Sequence, residues 1–229
     1  KSLERVAGMI GENAYLQEDL KAAQAVVAGG RLMNTTYVIF ETGLAPRRGQ
    51  IRIDIPVFVA GRYSGGVDYV GVNFPRLVKN DAFSRNLQVL TAEGQWTTAT
   101  LASMDNIVAQ EFKNELPIVV TKTIIAAGVK AAAAWGANQA TSNNMWANIA
   151  TRVATTAYQA GMNQADLRTW QTLPKEFQYC RIATPADRTL RLKPEQCPEE
   201  VQVALEPGAV NVVYVKSVTP ALKPVVSQF

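Results

Sequence analysis

Histidine is missing altogether from the 229 residues, and its absence removes a whole class of chemistry. Without an imidazole there is no Ser-His-Asp or Cys-His arrangement and no histidine metal ligand. The only side chain whose unperturbed pKa lies near neutrality is also gone. A hydrolase built on this chain would need paired carboxylates, a depressed lysine or a bound cofactor, and no motif for any of these stands in the sequence. No catalytic residue, cofactor or metal site is therefore expected. Cysteine is scarce: the chain has two, Cys180 and Cys197, and no CxxC, and two thiols cannot complete a structural zinc site unless carboxylates help, which is uncommon. In an oxidising compartment their separation suits a disulfide closing a hairpin-sized loop, stabilising by about 3 kcal/mol. The alternative is a pair of unrelated buried thiols. The chain opens at Lys1 with no initiator methionine, signal peptide or lipidation motif, so a mature or truncated form that has lost its targeting segment is expected.

What is present describes a globular chain. Hydrophobic residues make up 48% and charged residues 18%, outside the disordered range and enough for a substantial core. A net charge of +4 falls short of a nucleic-acid binder. The densest basic cluster is Arg47, Arg48 and Arg52, broken by Gly49 and Gln50 and followed by Asp54. It reads as a solvated loop, with an anionic lipid surface as the alternative partner.

Periodicity predicts the elements. Residues 1–30 keep a helical spacing through Leu3, Val6, Ile10, Leu16 and Leu20 and end at Gly29-Gly30. Thr36 to Phe40 is β-branched and aromatic. From Gln50 to Val59, Ile51, Ile53, Ile55, Val57 and Val59 alternate with Arg52 and Asp54, which predicts an antiparallel strand with one buried face. Pro56 places it at an edge or bulge. Further strands are predicted at Val67–Val72, Leu87–Thr91 and Trp96–Leu101. Ser103 then caps a helix with Asp105 in its first turn, and Pro117 either kinks that helix or starts another. From Ile118 to Ala140 the chain is apolar and small-residue rich. Lys122 and Lys130, at about 2.5–3.5 kcal/mol each at a bilayer centre, favour a helix buried in protein over a membrane span. A second helix from Met145 to about Gly161 completes a hairpin, and strands return from Phe177, Thr189, Val201 and Val210 onwards. The order predicts an α+β fold: an antiparallel sheet or sandwich with a helical hairpin inserted at about 103–161. Residues 1–30 form a helical lead-in, and residues 31–229 a single domain.

Three constellations could carry function. The glycines at 61, 65, 66 and 71 match no dinucleotide fingerprint or P-loop and read as turns. Glu111 and Glu115 lie four apart on a helix and could stack as a carboxylate pair, but a solvated face accounts for them. Asp166, Arg168 and Trp170, ahead of Leu173-Pro174, suit an arginine held by a bidentate ion pair and shielded by the indole. That anchors the crossing from helix to sheet. The alternative is a site for an anionic or extended peptide ligand.

Several segments together, Phe40-Glu41-Thr42-Gly43-Leu44-Ala45-Pro46, Met104-Asp105-Asn106-Ile107-Val108 with Glu111-Phe112-Lys113, Leu116-Pro117, Asp166-Leu167-Arg168-Thr169-Trp170-Gln171-Thr172-Leu173-Pro174 and Val213-Tyr214-Val215-Lys216, give a further signal. Over residues 34–218 the chain resembles an uncharacterised proteobacterial envelope (lipo)protein family with a helical, repeat-like N-terminal region. The resemblance implies that residues 1–30 end such a region. It also implies a periplasmic or outer-membrane-anchored location facing the periplasm, where a Cys180–Cys197 disulfide would form. It marks Glu41, Gly43, Pro46, Asp105, Glu111, Asp166, Arg168, Trp170 and Pro174 as structural or interaction residues, and it carries no activity. The resulting expectation is a non-enzymatic interaction domain binding another envelope protein. One alternative is an envelope enzyme with two acids about 5–9 Å apart. The other is a carrier with an apolar cavity for a lipid or small hydrophobe.

Overall fold

Alternation along β1 (Thr35–Thr42) sets the first layer: Thr36, Val38, Phe40 and Thr42 turn inward, and Tyr37, Ile39 and Glu41 turn to the opposite face. The computed structural model describes residues 2–9, 13–31, 33–59, 66–140, 143–147, 149–151, 154 and 166–229. In it β1 is the central strand of a five-stranded sheet. The other members are β6 (Ala99–Ser103), β7 (Glu176–Ala183), β10 (Val210–Ser217) and β11 (Val225–Gln228), in the order β11-β10-β1-β7-β6. All pairs are antiparallel except β1 with β10, which run parallel with Phe40 opposite Val215. A parallel pair needs a long crossover, and residues 43–209 lie between these two strands.

A second, four-stranded sheet is ordered β5-β4-β8-β9, from β4 (Leu87–Leu90), β5 (Gln95–Thr97), β8 (Thr189–Pro194) and β9 (Val201–Ala204). The two sheets share one core. Val38, Phe40, Ile182 and Val215 enter it from the first, and Leu87, Val89, Leu190 and Leu192 from the second, none more than 2% exposed. Truncating a side chain such as Phe40 here costs about 3–5 kcal/mol. The fold is α+β, as the sequence pattern predicts.

Two helices precede β1: α1 (Ser2–Met9) and α2 (Ala14–Val27). Asn13 caps α2, its Oδ1 accepting from the Leu16 N–H at 3.1 Å while its Nδ2 donates to the Thr100 carbonyl at 3.1 Å. Gly29 ends the helix at φ +95°, a conformation that favours glycine, and the Gly30 N–H reaches back to the Ala25 carbonyl.

The described chain divides into two compact units. The first contains the sandwich with α1 and α2, and comprises Lys1–Pro46, Lys79–Val108 and Trp170–Phe229. The second comprises Arg47–Val78 and Ala109–Thr169. Its β part is a hairpin of two 13-residue strands, β2 (Arg47–Val59) and β3 (Gly66–Val78). Both strands of a two-stranded sheet are edges, which is why Pro56 and Pro75 are tolerated within them. Helix α3 (Met104–Ala140) runs through Pro117 without ending, and enters this unit at Ala109. Val72 and Phe74 of β3 pack against Ala127, with Ile55, Val120 and Ala131 at the margin. Beyond α3, residues 145–147, 149–151 and 154 are helical, and the remainder of the 145–161 helix lies outside the described residues.

Two expectations need correction. Ile51 and Ile53 of β2 are each about half exposed, because α3 covers their neighbours on β3 and leaves these positions open. The segment 118–140 is not buried in protein: Ala127 is its one buried side chain among the described residues. A single hairpin covers a single face of the helix, and the described chain supplies nothing for the other.

Candidate interaction surface

Three of the singled-out segments converge in the first unit. The Lys175 ammonium, directly after Leu173-Pro174, is 5% exposed. It donates to a carboxylate oxygen of Asp105 in the first turn of α3 and, at 2.9 Å, to the Asn80 carbonyl, and it sits 4.7 Å from the centre of the Phe83 ring. The second Asp105 oxygen, Oδ1, is buried without a hydrogen-bond partner among the described residues. Gly43 packs against this group at φ +66°, and a Cβ there would meet the Phe83 Cβ at 2.7 Å and the Lys175 Cβ at 3.0 Å. The Ala45 N–H donates to the Leu173 carbonyl, and Pro46 and Pro174 are buried. Glu41 forms an ion pair with Lys216 Nζ at 2.7 Å and accepts a hydrogen bond from the Tyr214 hydroxyl. Apart from Asp105 Oδ1, these side chains spend their polar atoms on the fold. The cluster is a structural junction between β1, α3 and β7.

A second polar cluster fixes α2 to the outer face of the five-stranded sheet. Asp19 accepts from the Tyr37 hydroxyl at 3.1 Å and from the Tyr179 hydroxyl. Arg181 Nε lies 2.7 Å from the same carboxylate, an ion pair off the hydrogen-bond direction. Tyr37 and Tyr179 stack with centroids 6.0 Å apart. Asp19, Lys175 and Arg181 escape sequence reasoning, since their partners lie far away in the chain. The faint signal for Lys175 is a cation standing directly before a strand.

Elsewhere the structure departs from expectation. Cys180 and Cys197 are free and buried, and not within disulfide distance. Strands β7 and β8 do not form a hairpin: β7 pairs with β1 and β6, β8 with β4 and β9. Cys180 therefore faces the core from one sheet, and Cys197 lies past the end of a strand in the other. Burial pushes the Cys180 thiol up to about 11 and keeps it protonated and unreactive.

The Asp166–Arg168 pair exists as expected, Arg168 donating from Nε at 3.0 Å and from Nη2 at 2.9 Å. However, the Arg168 side chain is 92% exposed. Trp170 does not shield it, being 71% exposed with its indole N–H donating to Thr172 Oγ1. Residues two apart can pair without any help from the core, so the pair closes a local turn and anchors nothing. Glu111 is exposed, and Glu115 pairs with Arg48 at 2.5 Å, so the two glutamates do not act together. Of the glycines, 61 and 65 lie outside the described residues, while 66 and 71 are in β3.

The surface that stands out belongs to the second unit. Ile118, Lys122, Ile125, Val129, Ala132 and Gly136 follow the 3.6-residue period along the face of α3 turned away from β3, and all are exposed. Val129 is 66% exposed, Ile125 61%. Trp135 near the helix end and Met145, Trp146 and Ile149 beyond it are exposed as well. By length and composition α3 could cross a membrane. A contiguous apolar face of this kind marks a surface that meets something other than water. Comparison with protein-family models, with curated proteins and with solved structures returns no match.

Proposed function

We propose that this chain is a non-catalytic interaction module of the bacterial cell envelope that docks on another envelope component through the outer face of α3. One observation supports the reading above the others: a helical stripe of isoleucine, valine, alanine and glycine with no covering partner among the described residues. The buried ion pairs Lys175–Asp105 and Arg181–Asp19 join elements of the first unit to one another, which favours a structural role for them over a chemical one. The envelope location comes from the resemblance of Phe40–Pro46, Met104–Val108 and Asp166–Pro174 to an envelope family.

Ile125→Glu with Val129→Glu tests it. These side chains touch solvent, so the variant should keep the parent's unfolding midpoint. It should nevertheless lose the parent's retention on an alkyl hydrophobic-interaction column. Unchanged retention, or a variant that unfolds, would remove the basis for the proposal.

A further inference from the structure

The occupant of this face can be named from charge, on the footing of the docking role just proposed. The second unit holds ten lysines and arginines against five aspartates and glutamates, a net +5; the first holds thirteen against fourteen, a net −1. The basic excess of the chain is thus confined to the unit that exposes the apolar helix. Within it Arg47, Arg76, Lys113 and Lys122 are exposed and make no ion pair among the described residues. A second copy of the chain would bring +5 against +5, which opposes self-association through this unit. An anionic surface is complementary to it.

We infer that the outer face of α3 lies in the interface of a bilayer rich in anionic phospholipid. The apolar stripe would enter the acyl boundary, with Lys122 reaching up to the headgroups along its own methylenes. Trp135 and Trp146 suit the same depth, where an indole keeps its ring in the apolar layer and its N–H near water. The helix lies on the bilayer and does not span it, because its inner face is occupied by Val72 and Phe74 of β3. Lys122 and Lys130 oppose a span for the reason of charge.

The test is flotation of the full chain with vesicles of equimolar phosphatidylglycerol and phosphatidylcholine, compared with phosphatidylcholine alone, while tryptophan emission is recorded. The chain should float with the anionic vesicles only, with a blue shift that is lost in Trp135→Phe/Trp146→Phe. Lys113→Glu with Lys122→Glu should lower partitioning about tenfold or more, and Ile125→Glu with Val129→Glu should abolish it. Absence of flotation, or equal flotation with both vesicles, overturns the lipid assignment. If flotation fails while Ile125→Glu/Val129→Glu still loses retention on the alkyl column, the docking reading survives with a protein as occupant. If retention is also unchanged, both fall.

Discussion

Lys175 and Asp105, 70 residues apart in the chain, share one buried ion pair that joins the start of β7 to the first turn of α3. Removing one member strands the other in a site made for a charge, at a cost of about 3–5 kcal/mol. Lys175→Met should therefore lower stability in urea by that amount, while Lys175→Met with Asp105→Leu should recover part of it. Gly43→Ala should destabilise too, through both its positive φ and the contacts of the new Cβ. A Lys175→Met protein as stable as the parent would refute the structural role.

Alkaline pH should unfold the first unit before its unfolded-state chemistry alone would require. Burial holds the hydroxyls of Tyr15 and Tyr214 up to about 12 and the Cys180 thiol up to about 11. Burial, reinforced by Asp19, raises Tyr37 and Tyr179. All five are favoured in the neutral form by folding, whereas in the unfolded chain thiols ionise near about pH 8.5 and tyrosines near about pH 10. Stability is complete below those values and falls as pH rises toward the folded-state ones. Urea midpoints taken between about pH 7 and about pH 12 should decline, with tyrosinate absorbance appearing together with loss of structure. A flat profile would contradict the burial of these groups.

Arg168→Ala should leave the unfolding midpoint where it is, since both partners of the pair are solvated. Its effect is local. Hydrogen bonds from the Arg168 guanidinium and backbone N–H hold the Asp166 carboxyl down to about 2, and in the variant it should titrate nearer the ordinary aspartate range. Carboxyl NMR titration gives the first readout and thermal unfolding the second; a lowered midpoint would show that the guanidinium is an anchor after all.

The alternation from Thr36 to Phe40 and from Phe177 to Ala183, the glycine stop at Gly29-Gly30 and the long helix after Ser103 were all legible in the sequence. Each depends on interactions between neighbours in the chain: the two-residue period, the 3.6-residue period and the backbone freedom of glycine. The absence of histidine limited the chemistry in the same local way. Which strands pair, and what covers each face, was decided only in three dimensions. Cys180 and Cys197 looked like opposite members of a hairpin, but β7 pairs with β1 and β6 and β8 with β4 and β9, in different sheets. The apolar run at 118–140 looked like core, and hydrophobicity alone cannot say whether a helix is covered on two sides or one. Lys175 was invisible as a partner of Asp105 because an ion pair leaves no periodic trace when its members are brought together by the ends of a strand and a helix.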